Sequence, residues 1–325
     1  MANIELSALL QMHRDFISVR KTIDALRAQT AKDRLELVLV MPAGKRDLIP
    51  ADAFEGLAAV QCVEIEHSFK LEEGWAVGIE RATGPLVVLC EDHSYPHPGW
   101  AAGLIDAHKR GYPAVSPAID NANPATAVSW ANFMLTFIHW FGITEVAEME
   151  FTAAHNSAYN RTMLLEHYGD SLPYWLAHEH SLSDDMQTRG YRIVVAPDAV
   201  TEHVNVSVFN AYLVHSYAGG RIYGTGRAAA WSLATKLVRA VAAPLVPWVR
   251  VVRILRMLDT PEKRRKAKVG RSLPMALMGL HFHAFGEVMG YLFGKGRASE
   301  IYLPAEIHRA QLVRPNEQIA IMGLE

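Results

Sequence analysis

Cysteine is nearly absent from this sequence: its 325 residues include two, Cys62 and Cys90. Both lie in or beside apolar runs, and their spacing is not that of paired metal ligands. A cysteine metal site is therefore excluded, and we expect two buried thiols in a reducing compartment.

The sequence also lacks an excess of charge of either sign. It has 32 lysines and arginines against 34 aspartates and glutamates, a formal net charge of −2, so no overall basic field would attract nucleic acid. The first residues lack the basic-then-apolar pattern of a secretion signal, and we expect this part of the chain to stay in the cytoplasm. With 50% hydrophobic and 20% charged residues, the composition is that of a globular protein.

One short apolar run is followed by ionisable residues. Leu86 to Cys90 comes after a Gly-Pro turn and predicts a strand buried on both faces of a parallel sheet. The run ends in Glu91-Asp92-His93, at the carboxyl end of the strand, where open α/β sheets bind their ligands. Pro96 and Pro98 then stop the strand, and Trp100 begins a predicted helix.

Predicted strands and helices alternate around this run, as in α/β proteins. The further strands are Ile4 to Leu10, Leu35 to Met41, Val60 to Ile65, Ala114 to Ile119 and Tyr191 to Ala196; the helices are Ser18 to Gln29, Leu71 to Arg81, Trp100 to Arg110 and Ser129 to Phe141. This order predicts a mostly parallel sheet flanked by helices.

The buried strand, the acidic triplet, the Pro-x-Pro-Gly-Trp loop and the helix resemble the metal-binding segment of family 2 glycosyltransferases, which have the GT-A fold. The family's triplet is Asp-x-Asp, and here Glu91 and His93 occupy the two Asp positions with Asp92 between them. The resemblance implies that Glu91 and His93 hold Mn²⁺ or Mg²⁺ with the donor diphosphate, and that Asp92 binds the donor sugar or ribose. Carboxylate and imidazole both suit Mn²⁺. A solvated acidic turn is the alternative interpretation.

A second segment, Ala154 to Arg161, resembles the family's Gly-x-Asn-x-x-x-Arg segment beside the donor sugar and acceptor. His155 stands where the family usually has Gly. The resemblance implies that Asn156 and Arg161 bind the donor, and a buried polar turn is the alternative.

A third segment begins at His178. Counting from there, Leu182, Met186 and Gly190 fall on the family's spacing for two apolar residues and a Gly, and Glu179 falls on the catalytic Asp. The resemblance implies that Glu179 takes the proton of the acceptor hydroxyl as it attacks the anomeric carbon. A carboxylate that stabilises the helix start is the alternative.

Two later segments add candidates. Ala199 to His203 resembles the family's terminal x-Val-x-x-His element, which makes His203 a third metal or diphosphate ligand, with a structural histidine as the alternative. Gly219 to Arg227 is rich in glycine, and we expect a flexible loop whose Arg221 and Arg227 close over a diphosphate.

Two family signatures are altered. Pro42 to Asp47 replaces the acidic turn that helps to hold the nucleotide, which leaves base recognition unassigned. In the segment Gly74 to Gly78, the last Gly alone matches the donor-contacting signature. Trp75, in this segment, either stacks on the donor or packs in the core.

The chain becomes apolar and basic after residue 227. Ala228 to Leu258 carries a cationic stripe that suits the surface of an anionic membrane, and Glu262 to Arg271 adds a basic run. Leu273 to Gly294 is long enough to span a bilayer. A re-entrant or surface-lying hairpin, and a soluble helix pair packed on the catalytic domain or on a second subunit, are the alternatives.

The resemblance covers roughly residues 4 to 227 and implies a GT-A catalytic domain at 1–227, α/β with a Rossmann-like, mostly parallel sheet, followed by a helical, membrane-associating region at 228–325. The implied function is inverting, metal-dependent transfer of a sugar from a nucleotide-diphosphate sugar to an acceptor hydroxyl on a lipid or lipid-linked glycan. We expect it at the cytoplasmic face of the cell membrane, with no nucleic-acid partner and with a homo-oligomer left open.

Two other function classes stay open. The first is a non-catalytic, membrane-attached nucleotide-sugar-binding or scaffold protein with a GT-A fold, because the standard Asp-x-Asp and nucleotide-turn residues are missing. The second is a nucleotidyltransferase on a similar sheet. Against it, Gln11 to Arg14 follows the first strand in place of a Gly-rich, Lys-bearing loop.

Overall fold

The computed structural model describes residues 3–66, 69–153 and 155–322. Contacts divide the chain into two compact units: unit 1 comprises Met1–Asp120 and Trp140–His203, and unit 2 comprises Asn121–His139 and Val204–Glu325. The boundary between the two units thus lies after residue 203. The predicted boundary after residue 227 falls instead at the end of a helix that belongs to unit 2. The assignment of 1–227 as catalytic and 228–325 as membrane-associating stays a prediction.

The described strands form one mixed sheet. They are β1 Leu6–Gln11, β2 Leu35–Pro42, β3 Ala59–Ile65, β4 Leu86–Leu89, β5 Ser94–Pro96, β6 Ala114–Asn121, β7 Ala147–Glu148, β8 Ala158–Asn160 and β9 Ile193–His203. Their order is β3-β2-β1-β4-β8-β6-β9-β5, with β7 on β9. The first four strands pair in parallel, and β8 pairs antiparallel with both β4 and β6.

Helices make up the rest of the regular structure. They are α1 Phe16–Arg27, α2 Leu71–Arg81, α3 Trp100–Lys109, α4 Ala127–Thr136, α5 Arg161–Tyr168, α6 Leu172–Leu176, α7 Glu179–Thr188, α8 Phe209–Arg227, α9 Leu233–Ala242, α10 Val246–Met257, α11 Pro261–Lys266, α12 Val269–Phe293, α13 Ala298–Ile307 and α14 Pro315–Met322. Helix α4 and helices α8 to α14 belong to unit 2, and the others belong to unit 1.

The core of unit 1 lies on both faces of the parallel strands, because their apolar runs alternate between two clusters. In β1, Leu6, Ala8 and Leu10 belong to the cluster with α1 and α3, while Leu9 belongs to the cluster with α2. Every residue of β4 is buried. The carboxyl end of β4 is therefore held between two packed layers.

The predicted strands and helices of unit 1 are confirmed, with small shifts at their ends and a longer last strand, β9. In unit 2, the predicted helix Ser129 to Phe141 is shorter, because α4 ends at Thr136. Of the two cysteines, Cys90 is buried and Cys62 is half-buried, and both are free thiols. Burial raises the pKa of the Cys90 thiol, which makes it unreactive.

The flexible loop predicted at Gly219 to Arg227 is wrong: this segment is the second half of helix α8. A Cβ atom added to Gly220 would lie 2.0 Å from the carbonyl oxygen of His283 on α12. One added to Gly286 of α12 would lie 2.1 Å from the carbonyl oxygen of Tyr217 on α8. The glycines therefore allow two helix backbones to touch, and do not mark a mobile loop.

The long apolar segment predicted at Leu273 to Gly294 is most of helix α12. Among the described residues, no helix combines the length and the hydropathy that a bilayer crossing requires.

Candidate metal and donor site

Glu91 lies at the centre of a buried polar cluster directly after β4. Its carboxylate faces three imidazoles: His155 Nδ1 is 2.7 Å from Oε1, His93 Nε2 is 3.6 Å from Oε1, and His203 Nε2 is 3.4 Å from Oε2. The exposed fractions of Glu91, His93 and His203 are 8%, 5% and 2%. The structure thus brings together the three predicted metal ligands and adds His155.

Sheet pairing carries these side chains to one place. Glu91 follows β4, and His93 lies in the turn into β5. His203 is the last residue of β9 and pairs with Ser94 of β5 in antiparallel register. His155 precedes β8, which pairs antiparallel with β4. Residues far apart in the sequence are therefore fixed around one carboxylate.

Hydrogen bonds hold the Glu91 carboxylate in one orientation. Asn156 Nδ2 donates to Oε2 at 2.7 Å, and Ser94 Oγ donates to the same oxygen at 2.9 Å. Asn156 has a φ of 71°, the left-handed conformation that asparagine tolerates better than most residues. The predicted donor-binding residue Asn156 thus contacts a predicted metal ligand, and its binding of the donor stays a prediction.

The electrostatics of the cluster favour an ionised Glu91. Burial by itself would raise the pKa of this carboxyl, but His93, His155 and His203 hold it well below its usual range. Within the described part of the chain, no lysine or arginine forms an ion pair with Glu91. The cluster therefore holds a buried anion whose ion-pair partners among the described residues are imidazoles.

The donor set fits a divalent metal ion. Glu91, His93 and His203 each offer one ligand atom, and these atoms lie within 4.8 Å of one another. Imidazole nitrogens favour transition metals, so the set suits Mn²⁺ better than Mg²⁺. Asp92 Oδ1 lies 2.7 Å from His93 Nδ1 and would orient the ring with Nε2 toward Glu91. Asp92, predicted to bind the donor sugar or ribose, thus contacts His93.

Glu179 lies close to this cluster. It is the first residue of α7, and its side chain is 20% exposed. His155 Nε2 is 3.4 Å from Glu179 Oε1, while His155 Nδ1 is 2.7 Å from Glu91 Oε1. The two ring nitrogens therefore connect a predicted base to a predicted metal ligand.

His155 is the residue of this site to which sequence reasoning gave no role. Its ring packs on Trp75, with the ring centroids 4.4 Å apart, and Trp75 is 3% exposed. This burial favours the packing interpretation of Trp75. The available signal was an ionisable side chain at a position where the resembled family usually has Gly.

The three predicted donor-binding arginines make or adjoin contacts within their own units. Arg161 begins α5, and its guanidinium donates to the carbonyl oxygens of Ile79 at 2.7 Å and Glu80 at 2.8 Å, near the end of α2. Arg221 and Arg227 belong to α8 in unit 2, where Arg221 Nε donates to the carbonyl oxygen of Gly294 at 2.8 Å. Their binding of a diphosphate stays a prediction.

Comparisons with known proteins connect this geometry to a fold. No family model matches the sequence, and the search of curated proteins found no match. Among solved structures, GalNAc-T7 with UDP, GalNAc and Mn²⁺ matches with 16% identity and a TM-score of 0.47 over 62% of this chain, which spans 44% of the length of that protein.

A second solved structure matches over nearly the whole chain. The mannosyltransferase PcManGT from Pyrobaculum calidifontis, in complex with GDP-Man and Mn²⁺, is 15% identical, with a TM-score of 0.54 over 90% of this chain and 88% of that one. The mixed sheet flanked by helices, with further helices toward the C-terminus, is the GT-A fold that the sequence resembles.

Proposed function

We propose that this chain is a metal-dependent glycosyltransferase that moves a sugar from a nucleotide-diphosphate sugar to an acceptor hydroxyl, with inversion at the anomeric carbon. The observation that carries the proposal is the cluster at the end of β4, where Glu91, His93 and His203 form a metal donor set and His155 connects it to Glu179. A fold neighbour binds GDP-Man and Mn²⁺, which agrees with such a donor set.

The residues would divide the reaction between them. Glu91, His93 and His203 would hold a divalent ion, which when bound would offset the charge of the leaving diphosphate. Glu179 accepts the proton of the acceptor hydroxyl. At the same time the hydroxyl oxygen bonds to the anomeric carbon, and the bond from that carbon to the diphosphate breaks. His155 Nε2 lies 3.4 Å from Glu179 Oε1 and would position the base.

The acceptor in this proposal is a lipid or a lipid-linked glycan, presented at the cytoplasmic face of a membrane. The exposed apolar and basic residues of unit 2 support this choice. The sugar and the nucleotide follow from the experiment below.

The test is a thermal-shift panel of UDP- and GDP-sugars with and without Mn²⁺, followed by assay of nucleotide-diphosphate release. We expect one nucleotide sugar to raise the melting temperature when Mn²⁺ is present, because a ligand at about 100 times its Kd adds about 2.7 kcal/mol of stability. We expect Glu179→Gln to keep this shift and to lose turnover. A shift without any release by the wild type would support the non-catalytic binding protein instead.

A further inference from the structure

Unit 2 exposes an apolar helix surface that faces solvent. We call it the outward face and define it by six residues of α9, α10 and the short turn Ala243–Leu245 that joins them: Leu237, Val241, Leu245, Trp248, Val249 and Val252. Their exposed fractions are 50%, 83%, 67%, 55%, 51% and 48%. No residue of α9 is buried. A helix of an ordinary soluble domain turns its apolar side inward, so this orientation is the reverse of the usual one.

The opposite side of the same helices is firmly attached. Pro247 and Ile254 of α10 are buried, and α10 packs on α12. Arg250 donates to Glu287 Oε1 of α12 at 2.6 Å and lies 2.9 Å from His283 Nδ1. Glu287 is 3% exposed and also accepts a hydrogen bond from Tyr291. Because rotating α10 would leave Glu287 without its cation, the apolar residues are held facing outward.

The charges of these helices indicate what covers the outward face. Helices α9 and α10 carry no acidic residue, and besides Arg250, which pairs with Glu287, they carry four cations: Lys236, Arg239, Arg253 and Arg256. Helix α11 follows with exposed Arg264, Arg265 and Lys266. An apolar strip between cations matches an anionic lipid surface, where the apolar side chains enter the acyl boundary and the long cationic ones reach the headgroups. Trp248 also suits this interface.

A second copy of this chain is a poorer occupant. Two outward faces in contact would bring the cations of both copies together without acidic partners from α9 or α10, which is unfavourable. We propose that the outward face docks unit 2 on the surface of an anionic lipid bilayer, with α9 and α10 lying in the plane of the membrane. This inference extends the membrane-presented acceptor of the proposed function by naming the surface that would bind lipid, and its test needs no transferase activity.

The test is flotation of the full chain with vesicles of phosphatidylcholine alone and of equal parts phosphatidylcholine and phosphatidylserine. We expect the wild type to partition onto the phosphatidylserine vesicles at least about tenfold more strongly, since each cation near an anionic surface contributes roughly fivefold. Val241→Glu with Val249→Glu should lower this partition by at least about tenfold. Arg239→Glu with Arg253→Glu should remove the preference for phosphatidylserine.

The matched control is Ile17→Glu with Leu48→Glu, because these unit 1 residues are 46% and 49% exposed. We expect this variant to float like the wild type. All substituted residues are at the surface, so the melting temperatures should stay equal. Absence of wild-type flotation, or unchanged flotation of Val241→Glu with Val249→Glu, would overturn the proposal. The proposal would also be overturned if the wild type formed an oligomer in lipid-free solution and Val241→Glu with Val249→Glu dissociated it, because the outward face would then join copies of the chain.

Discussion

Two buried carboxylates, one in each unit, have different surroundings. Glu91 in unit 1 faces three imidazoles, whereas Glu287 in unit 2 is bonded to Arg250 at 2.6 Å and lies 3.0 Å from His283 Nδ1. An arginine stays charged at all accessible pH values, so Glu287 has a permanent counter-ion. Glu91 has imidazoles, which are neutral when they bind a metal. The difference agrees with a structural role for Glu287 and with the proposed role of Glu91 as a metal ligand.

The substitution Glu91→Gln tests the difference between the two carboxylates most directly. The amide removes the buried anion, and we expect Mn²⁺-dependent binding of the nucleotide sugar and turnover to fall by more than the roughly 100-fold that loss of a residue behind the ligands costs. Titration calorimetry with and without Mn²⁺ measures the binding. Unchanged Mn²⁺ dependence in this variant would show that Glu91, like Glu287, has a structural role.

Glu179→Gln separates the base from the metal donor set. We expect kcat to fall by about 10²- to 10⁴-fold, because a positioned base contributes this much, while the Kd of the donor stays within a factor of a few. Asp184→Asn, on the same helix, is the control and should keep wild-type kcat. A loss of folding in Glu179→Gln would favour its helix-start role, and full activity would move the base to another residue.

Glu287→Gln tests the structural carboxylate. Burial by itself would raise its pKa, but the His283 hydrogen bond, Arg250 and Tyr291 lower it to about 2. We expect a loss of about 3 kcal/mol in the free energy of unfolding at neutral pH, because each pKa unit corresponds to about 1.4 kcal/mol. Donor binding should not change.

The pH dependence follows from the sign of this shift. A carboxyl whose pKa is lowered in the folded state stabilises fully above its unfolded value of about 4.3, and this contribution is lost as the pH falls toward about 2. Urea unfolding across this window should show a steeper loss for the wild type than for Glu287→Gln. Parallel curves would mean that Glu287 gains nothing from its partners.

The sequence predicted the strand before Glu91 and the candidate ligands His93 and His203, because an apolar run and family spacing are local signals. The sequence assigned no role to His155, since its approach to Glu91 depends on the pairing of β8 with β4. Local sequence patterns do not show which distant strands pair in a sheet. The side chain that joins the two carboxylates could therefore be found only from the structure.

The glycine-rich end of α8 shows the reverse error. Glycine indicates a flexible loop when one segment is considered alone. Here Gly224 lies against the backbone of Glu287, where a Cβ atom would be 2.5 Å from the carbonyl oxygen. The partner helix begins more than forty residues later in the sequence. One segment taken alone does not show which distant helix its glycines pack against.

The smallest expected effect concerns Arg161, which the resemblance places at the donor, whereas in the structure its guanidinium contacts the end of α2. Its two hydrogen bonds to the carbonyl oxygens of Ile79 and Glu80 put a cation at the negative end of that helix. We expect Arg161→Ala to lower the free energy of unfolding by about 1 to 2 kcal/mol and to leave the donor Kd unchanged. Arg192→Ala, which loses an exposed ion pair with Glu148, is the control and should destabilise the protein less than Arg161→Ala does. A weaker donor Kd in Arg161→Ala with wild-type stability would restore the donor-binding role, because a guanidinium that contacts the diphosphate contributes to binding and not to the end of α2.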